Sequence, residues 1–156
     1  MYGKMMGYIR DLCIIGCLLC ILCMYLCKYI GIETYIVRSG SMEPSIMTGS
    51  ICFIDTRFDY TDIKEDDVIA FERGKIKVTH RVIKVTKEGF ITKGDNNTIS
   101  DGLTTTKDNY IGKNICSIPW VGYIIGFLQT IKGKIISVTL MILILLLREI
   151  LNSLNR

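Results

Sequence analysis

Three stretches of this sequence carry residue types that could do chemistry together. The first is Ser39-Gly40-Ser41-Met42-Glu43-Pro44. Gly40 allows a close backbone approach or an unusual φ, and Pro44 stiffens the exit. A serine fixed on such a turn suits a nucleophile, and the same hexapeptide also reads as a solvated linker. The second is His80, the only histidine in the chain. A histidine among aliphatic residues is an ordinary satisfied core residue, or a general base when a carboxylate fixes its tautomer. The third is the loop Lys93-Gly94-Asp95-Asn96-Asn97-Thr98-Ile99-Ser100-Asp101. Its two aspartates fit an Asx-turn hairpin, or a weak calcium loop lacking the terminal glutamate of an EF-hand.

The elements that must position these residues read as strands. Along Lys75–Val85, alternation places Ile76, Val78, His80 and Val82 on one face and Lys77, Thr79 and Arg81 on the other. His80 thus belongs to an inward face. Between Glu33 and Pro119 the helical period disappears. Short β-branched runs predict further strands at Tyr35–Val37, Ser50–Asp55, Val68–Glu72, Phe90–Thr92 and Ile111–Ser117. Arg73-Gly74, Glu88-Gly89 and Gly94-Asp95-Asn96-Asn97 supply the turns between them.

The ends differ from the middle. The chain has 156 residues and is 49% hydrophobic, with the apolar excess at its two termini. That composition excludes a disordered chain, and two prolines without a Gly-X-Y period exclude a collagen. A net charge of +4, spread without a basic stripe, argues against nucleic acid as a partner. Leu12–Cys27 is an uncharged run that Tyr29–Ile32 extends past Lys28 toward the roughly 20 residues of a bilayer span. A cleaved signal peptide is the competing reading, and no small-x-small site follows the run. Ile135–Leu147 predicts a second, thin or tilted span, although its length also suits a buried or interfacial helix. The flanking charges barely favour cytosolic termini.

The expected organisation is therefore an N-terminal tail and anchor over residues 1–32, a β domain over 33–120 and a C-terminal membrane segment and tail over 121–156. The fold class is mostly β, a small domain between two transmembrane helices. Cys13, Cys17, Cys20, Cys23 and Cys27 fall on one helical face of the first segment. Without histidine, carboxylates or zinc-finger spacing, that stripe reads better as a surface for a partner membrane helix than as a metal site. Whether Cys52 and Cys116 meet is not given by spacing.

Taken together, Ser39–Pro44, Thr79-His80-Arg81, Gly94–Asn97 with Asp101, and Ile118-Pro119-Trp120-Val121-Gly122-Tyr123 resemble the type I signal peptidases. The resemblance is to the branch typified by archaea and the endoplasmic reticulum, and it runs over nearly the whole chain. It implies a signal-peptidase-like β domain, with Ser41 as nucleophile, His80 as base in place of the lysine of the common bacterial branch, and Asp101 as third member. It further implies supporting roles for Asp95 and Arg81, and an oxyanion contact from Ser39. The chain departs from the family pattern at Gly49-Ser50 and Asp66-Asp67, where the family often has Gly-Asp.

The activity so implied is serine endopeptidase cleavage of signal peptides from secreted preproteins, by a multi-pass cell-membrane protein whose β domain lies on the extracytoplasmic side. No metal or organic cofactor is needed. Two other classes share features: a catalytically silent, membrane-anchored binding subunit, and a self-cleaving repressor-type serine protease. With a histidine base, activity should rise through about pH 6–7, where imidazole ordinarily loses its proton. A pH–rate profile rising only several units higher would instead indicate a lysine base, such as Lys77 or Lys84.

Overall fold

The computed structural model describes residues 2–154. Within its terminal helices the side chains at 2–6, 9, 13, 17, 20, 21, 23, 24, 152 and 154 lie outside that description. The cysteine stripe, apart from Cys27, falls among these.

Helix α1 (Tyr2–Tyr29) leads into β1 (Ile32–Ile36), β2 (Ile51–Asp55), β3 (Val68–Arg73), β4 (Ile76–Thr86), β5 (Gly89–Lys93), β6 (Thr104–Thr105) and β7 (Tyr110–Ile118). Helices α2 (Val121–Gln129) and α3 (Ile131–Leu154) follow. The strands form one antiparallel sheet in the order β1-β2-β7-β3-β4-β5-β6. Each expected strand is present: β3, β5 and β7 run a residue or two longer, β4 is shifted by one, β2 begins one residue later, and β1 starts earlier and stops short of Val37. Three elements were not foreseen: β6, the single 3-10 turn Tyr60–Asp62, and α2 as a helix separate from α3. The first two are too short to show a period, and α2 was absorbed into the apolar C-terminal run.

Alternation along β3 divides the core. Ala70 joins Met42, Ile46, Cys52 and Ile54 on one face. Its neighbours Ile69 and Phe71 join Ile63, Val82 and Phe90 on the other. Met42, two residues from the end of the serine motif, is only 2% exposed and anchors the Ser-Gly-Ser turn to the first cluster. On β4, His80 and Val82 are buried and Val78 half-buried, as their shared face predicts. Ile76, at the hairpin end of the same face, is exposed. Cys52 is buried and Cys116 exposed, both as free thiols. Burial pushes the Cys52 thiol up to about 11, where it is an inert core residue.

The two terminal helices form where the apolar runs are, but the expected pair of spans is not found. Among the described residues, no helix is long and apolar enough to cross a membrane. Arg10, Asp11 and Lys28 bound the apolar part of α1, while Lys132, Lys134, Arg148 and Glu149 bound that of α3. At 1.5 Å per residue, the uncharged run 135–147 reaches about 20 Å, against a hydrocarbon core of roughly 30 Å. The multi-pass placement goes with it.

Helix α2 docks on the sheet through glycines. Gly122 N–H donates to the Gly49 carbonyl at 2.9 Å, and a Cβ at Gly122 would stand 2.6 Å from that oxygen. Gly49 has φ +79°, and the Tyr123 ring occupies the space its side chain would need. Thr130 ends α2 and starts α3: its hydroxyl donates to the Phe127 carbonyl at 2.7 Å and accepts from Gly133 N–H at 3.0 Å. Gly49→Ala should destabilise the chain by about 2–3 kcal/mol, combining left-handed strain of ~1–2 kcal/mol with displacement of Tyr123. In a Tyr123→Ala background the same change should cost only the strain. Urea unfolding of the four variants checks this, and an equal cost in both backgrounds would remove the ring from the explanation.

Candidate active site

Three segments distant in sequence converge on His80. The inward face of β4 delivers its imidazole beside Phe71, with ring centroids 6.3 Å apart. The Ser41 hydroxyl lies 3.0 Å from His80 Nε2. Asp101 Oδ2 lies 2.7 Å from Nδ1. An ionised carboxylate can only accept, so Nδ1 carries the proton toward Asp101 and Nε2 is left to accept from Ser41. The His80 and Asp101 side chains are 7% and 5% exposed, whereas Ser41 is half-buried and open to an incoming group.

The serine turn is held from both sides. Glu43 Oε1 accepts from Thr48 N–H at 3.0 Å and from the Thr48 hydroxyl at 2.7 Å. These bonds hold the Glu43 carboxyl below its ordinary value. From the other side, Asn96 N–H donates to the Ser41 carbonyl at 2.9 Å and Asn96 Nδ2 to the Gly40 carbonyl at 3.2 Å. Gly94 allows that approach. A Cβ there would stand 2.5 Å from the Ser41 carbonyl oxygen and 3.0 Å from His80 Nε2. Ser39 Oγ is 3.4 Å from Ser41 Oγ, on an exposed residue.

Asp95 does not reach the histidine. It receives a two-pronged bond from Arg81, Nε to Oδ1 at 2.8 Å and Nη2 to Oδ2 at 2.7 Å. The third arm of Arg81, Nη1, donates to the Asp66 carbonyl at 2.8 Å. Asp66 takes φ +72°, a left-handed conformation that a short polar side chain tolerates. At this departure from the family pattern, aspartate therefore makes the turn. Asp67 pairs with Lys113 at 2.7 Å beside it. The arginine is thus a strut between the 64–67 turn and the loop carrying both aspartates.

A lysine base finds no support. Lys77 is on the opposite face of β4 from His80. Its Nζ donates to Tyr35 Oη at 2.8 Å and lies 4.5 Å from the centre of that ring. The Tyr35 bond raises the lysine's pKa, the reverse of what a base needs. Tyr35 Oη in turn donates to Glu33. Lys84 is exposed beyond the irregularity in the β4–β5 pairing.

Two residues absent from the sequence reading touch the site. Thr92 Oγ1, on β5, donates to Asp101 Oδ2 at 2.6 Å. Arg73 Nη2, at the end of β3, donates to the Asp101 carbonyl at 3.0 Å. The inward alternation of Phe90 and Thr92 was the available signal for the threonine; nothing local marked the arginine.

Known proteins give this geometry its context. Over 78 residues the chain is 40% identical to signal peptidase I W of Bacillus subtilis, covering 47% of this chain and 41% of that protein. It is 35% identical over 102 residues to the signal peptidase complex catalytic subunit SEC11 of Colletotrichum graminicola, covering 57% of this chain and 59% of the relative. Human SEC11C, likewise a signal peptidase complex catalytic subunit, is 35% identical over 103 residues, covering 57% and 53%. The chain is homologous to the signal peptidases. It spans about half the length of these relatives, and no family model matches it.

In this signal peptidase homologue the Arg81–Asp95 strut makes stability depend on pH. The Arg81 bonds hold the Asp95 carboxyl below the usual carboxylate range. A depressed carboxylate stabilises the fold fully above its unfolded value near pH 4, and that contribution fades as pH falls through the lower folded value. Asp95→Asn should cost about 1–2 kcal/mol at pH 7. The gap to wild type should shrink steadily below about pH 4. Urea unfolding across pH 2.5–7 measures it, and a gap independent of pH would mean the pair contributes by packing alone.

Proposed function

We propose that this chain is a membrane-held serine endopeptidase that removes N-terminal signal peptides from preproteins. The observation that carries the reading is the unbroken line Ser41 Oγ–His80–Asp101, with contacts of 3.0 and 2.7 Å. The homology to signal peptidases supplies the substrate class.

In this reading Ser41 Oγ attacks the carbonyl carbon of the scissile bond while its proton passes to His80 Nε2. Asp101 accepts from Nδ1 throughout and stabilises the imidazolium. The tetrahedral intermediate collapses, the protonated imidazole gives its proton to the leaving amine, and water hydrolyses the acyl-enzyme by the same route. The Ser41 N–H and the Ser39 hydroxyl face the developing oxyanion. One such donor is worth roughly 3–4 kcal/mol in known hydrolases. Asp95 and Arg81 support the loop without touching substrate.

Membrane attachment rests on the exposed apolar surfaces of all three helices. Leu12, Leu18, Leu19 and Leu22 of α1, and Leu140 to Leu147 of α3, are all about half exposed or more. Trp120, Tyr123, Ile124 and Phe127 continue that surface onto α2. A tryptophan and a tyrosine at its start suit the headgroup level. The unit over residues 33–120 would then work on the extracytoplasmic face, where preproteins emerge, and enzyme and substrate would meet within one interface. The described part of the cysteine stripe, Cys27, is half-buried at the end of α1.

The test is cleavage of a preprotein carrying an Ala-x-Ala site by the full-length chain in liposomes, beside Ser41→Ala, His80→Ala and Asp101→Ala. Each substitution should lower kcat by about 10³-fold or more, with little change in KM. Equal cleavage by wild type and Ser41→Ala would overturn the reading.

A further inference from the structure

We infer that Thr92 is a positioning residue for the Ser41–His80–Asp101 line, setting the orientation and charge of Asp101. The inference rests on the serine-protease reading of that line and adds a fourth member to it. Thr92 lies in the middle of β5, opposite Val82 of β4, with its side chain fully buried. Its hydroxyl donates at 2.6 Å to Oδ2 of Asp101, the same oxygen that accepts His80 Nδ1–H. Its carbonyl accepts the Asp101 N–H at 2.9 Å. One residue of the β4–β5 hairpin therefore fixes both the main chain and the carboxylate of a residue that otherwise stands in an irregular loop.

The consequences are electrostatic as well as steric. Asp101 is 5% exposed, and water does little to hold its charge. Two donors on one oxygen leave a single rotamer of the carboxylate satisfied, the one aimed at Nδ1. The threonine bond also draws charge away from that oxygen and limits how strongly it holds the imidazolium. The other groups facing Asp101 are the Arg73 guanidinium, 3.9 Å from Oδ1, and the imidazole itself. Valine in place of threonine keeps the shape and removes only the donor.

The experiment follows labelling of Ser41 by a fluorophosphonate in the full-length chain, which reads activation of the serine without any peptide substrate. Thr92→Val should slow labelling by about 10- to 100-fold, the range for a bond to a charged group. It should also move the acidic limb of the labelling rate to higher pH, because the more localised carboxylate charge favours the imidazolium. Thr92→Ser, which keeps the donor, should restore both rate and limb. In an Asp101→Asn background Thr92→Val should add little. Unchanged rate and limb in Thr92→Val would overturn the inference, as would serine behaving like valine, since loss of packing would then explain the effect. Labelling that follows this pattern while the Ala-x-Ala preprotein stays intact would retain Thr92's role and reject the signal-peptide substrate instead.

Discussion

A carboxylate that is almost wholly out of water governs how this chain is arranged. Burying an isolated charge is prohibitive unless donors replace its hydration. Asp101 is surrounded accordingly: His80 Nδ1 and the Thr92 hydroxyl on one oxygen, and the Arg73 guanidinium near the other. Those groups come from β4, β5 and the end of β3, which are adjacent in the sheet. The order of the strands is therefore also the order in which the charge is satisfied. Moving β4 or β5 by one residue would turn His80 or Thr92 to the opposite face and strand the carboxylate.

The serine reaches this centre by a different route. Met42 is buried in the cluster with Cys52, Ile54 and Ala70, on the face of β3 opposite to the one His80 shares with Ile69 and Phe71. Ser41 thus stands where the chain passes from one face of the sheet to the other. The Glu43–Thr48 bonds close the turn behind it, and the Asn96 contacts tie it to the aspartate loop. Arg81 braces that loop in turn against the 64–67 turn. Each of these loops is thus bonded to another loop or to a strand.

The helices serve a different constraint. Among the described residues, most apolar side chains of α1 and α3 stay exposed, whereas the strands bury theirs in two clusters. No helix among the described residues is long and apolar enough to cross a membrane. The Thr130 junction breaks the C-terminal apolar segment into a short helix docked on the sheet through Gly122 and a longer one that leaves it.

By itself the sequence determined the strands, the inward face of His80 and the three stretches bearing serine, histidine and aspartate. Period-two alternation and turn chemistry are local properties, and a motif is legible wherever its residues are contiguous. Sequence placed two transmembrane helices where the structure has helices bounded by charge, because hydropathy counts apolar residues and says less about where charges end them. Only the tertiary structure decided which aspartate meets the imidazole. Asp95 and Asp101 share one loop, and it is the Arg81 strut that claims the first and leaves the second to His80. The donors Thr92 and Arg73 were decided the same way, the threonine legible only as an inward strand position and the arginine not at all. A threonine in a strand and an arginine at a hairpin are unremarkable until the sheet brings them to a buried charge that needs donors.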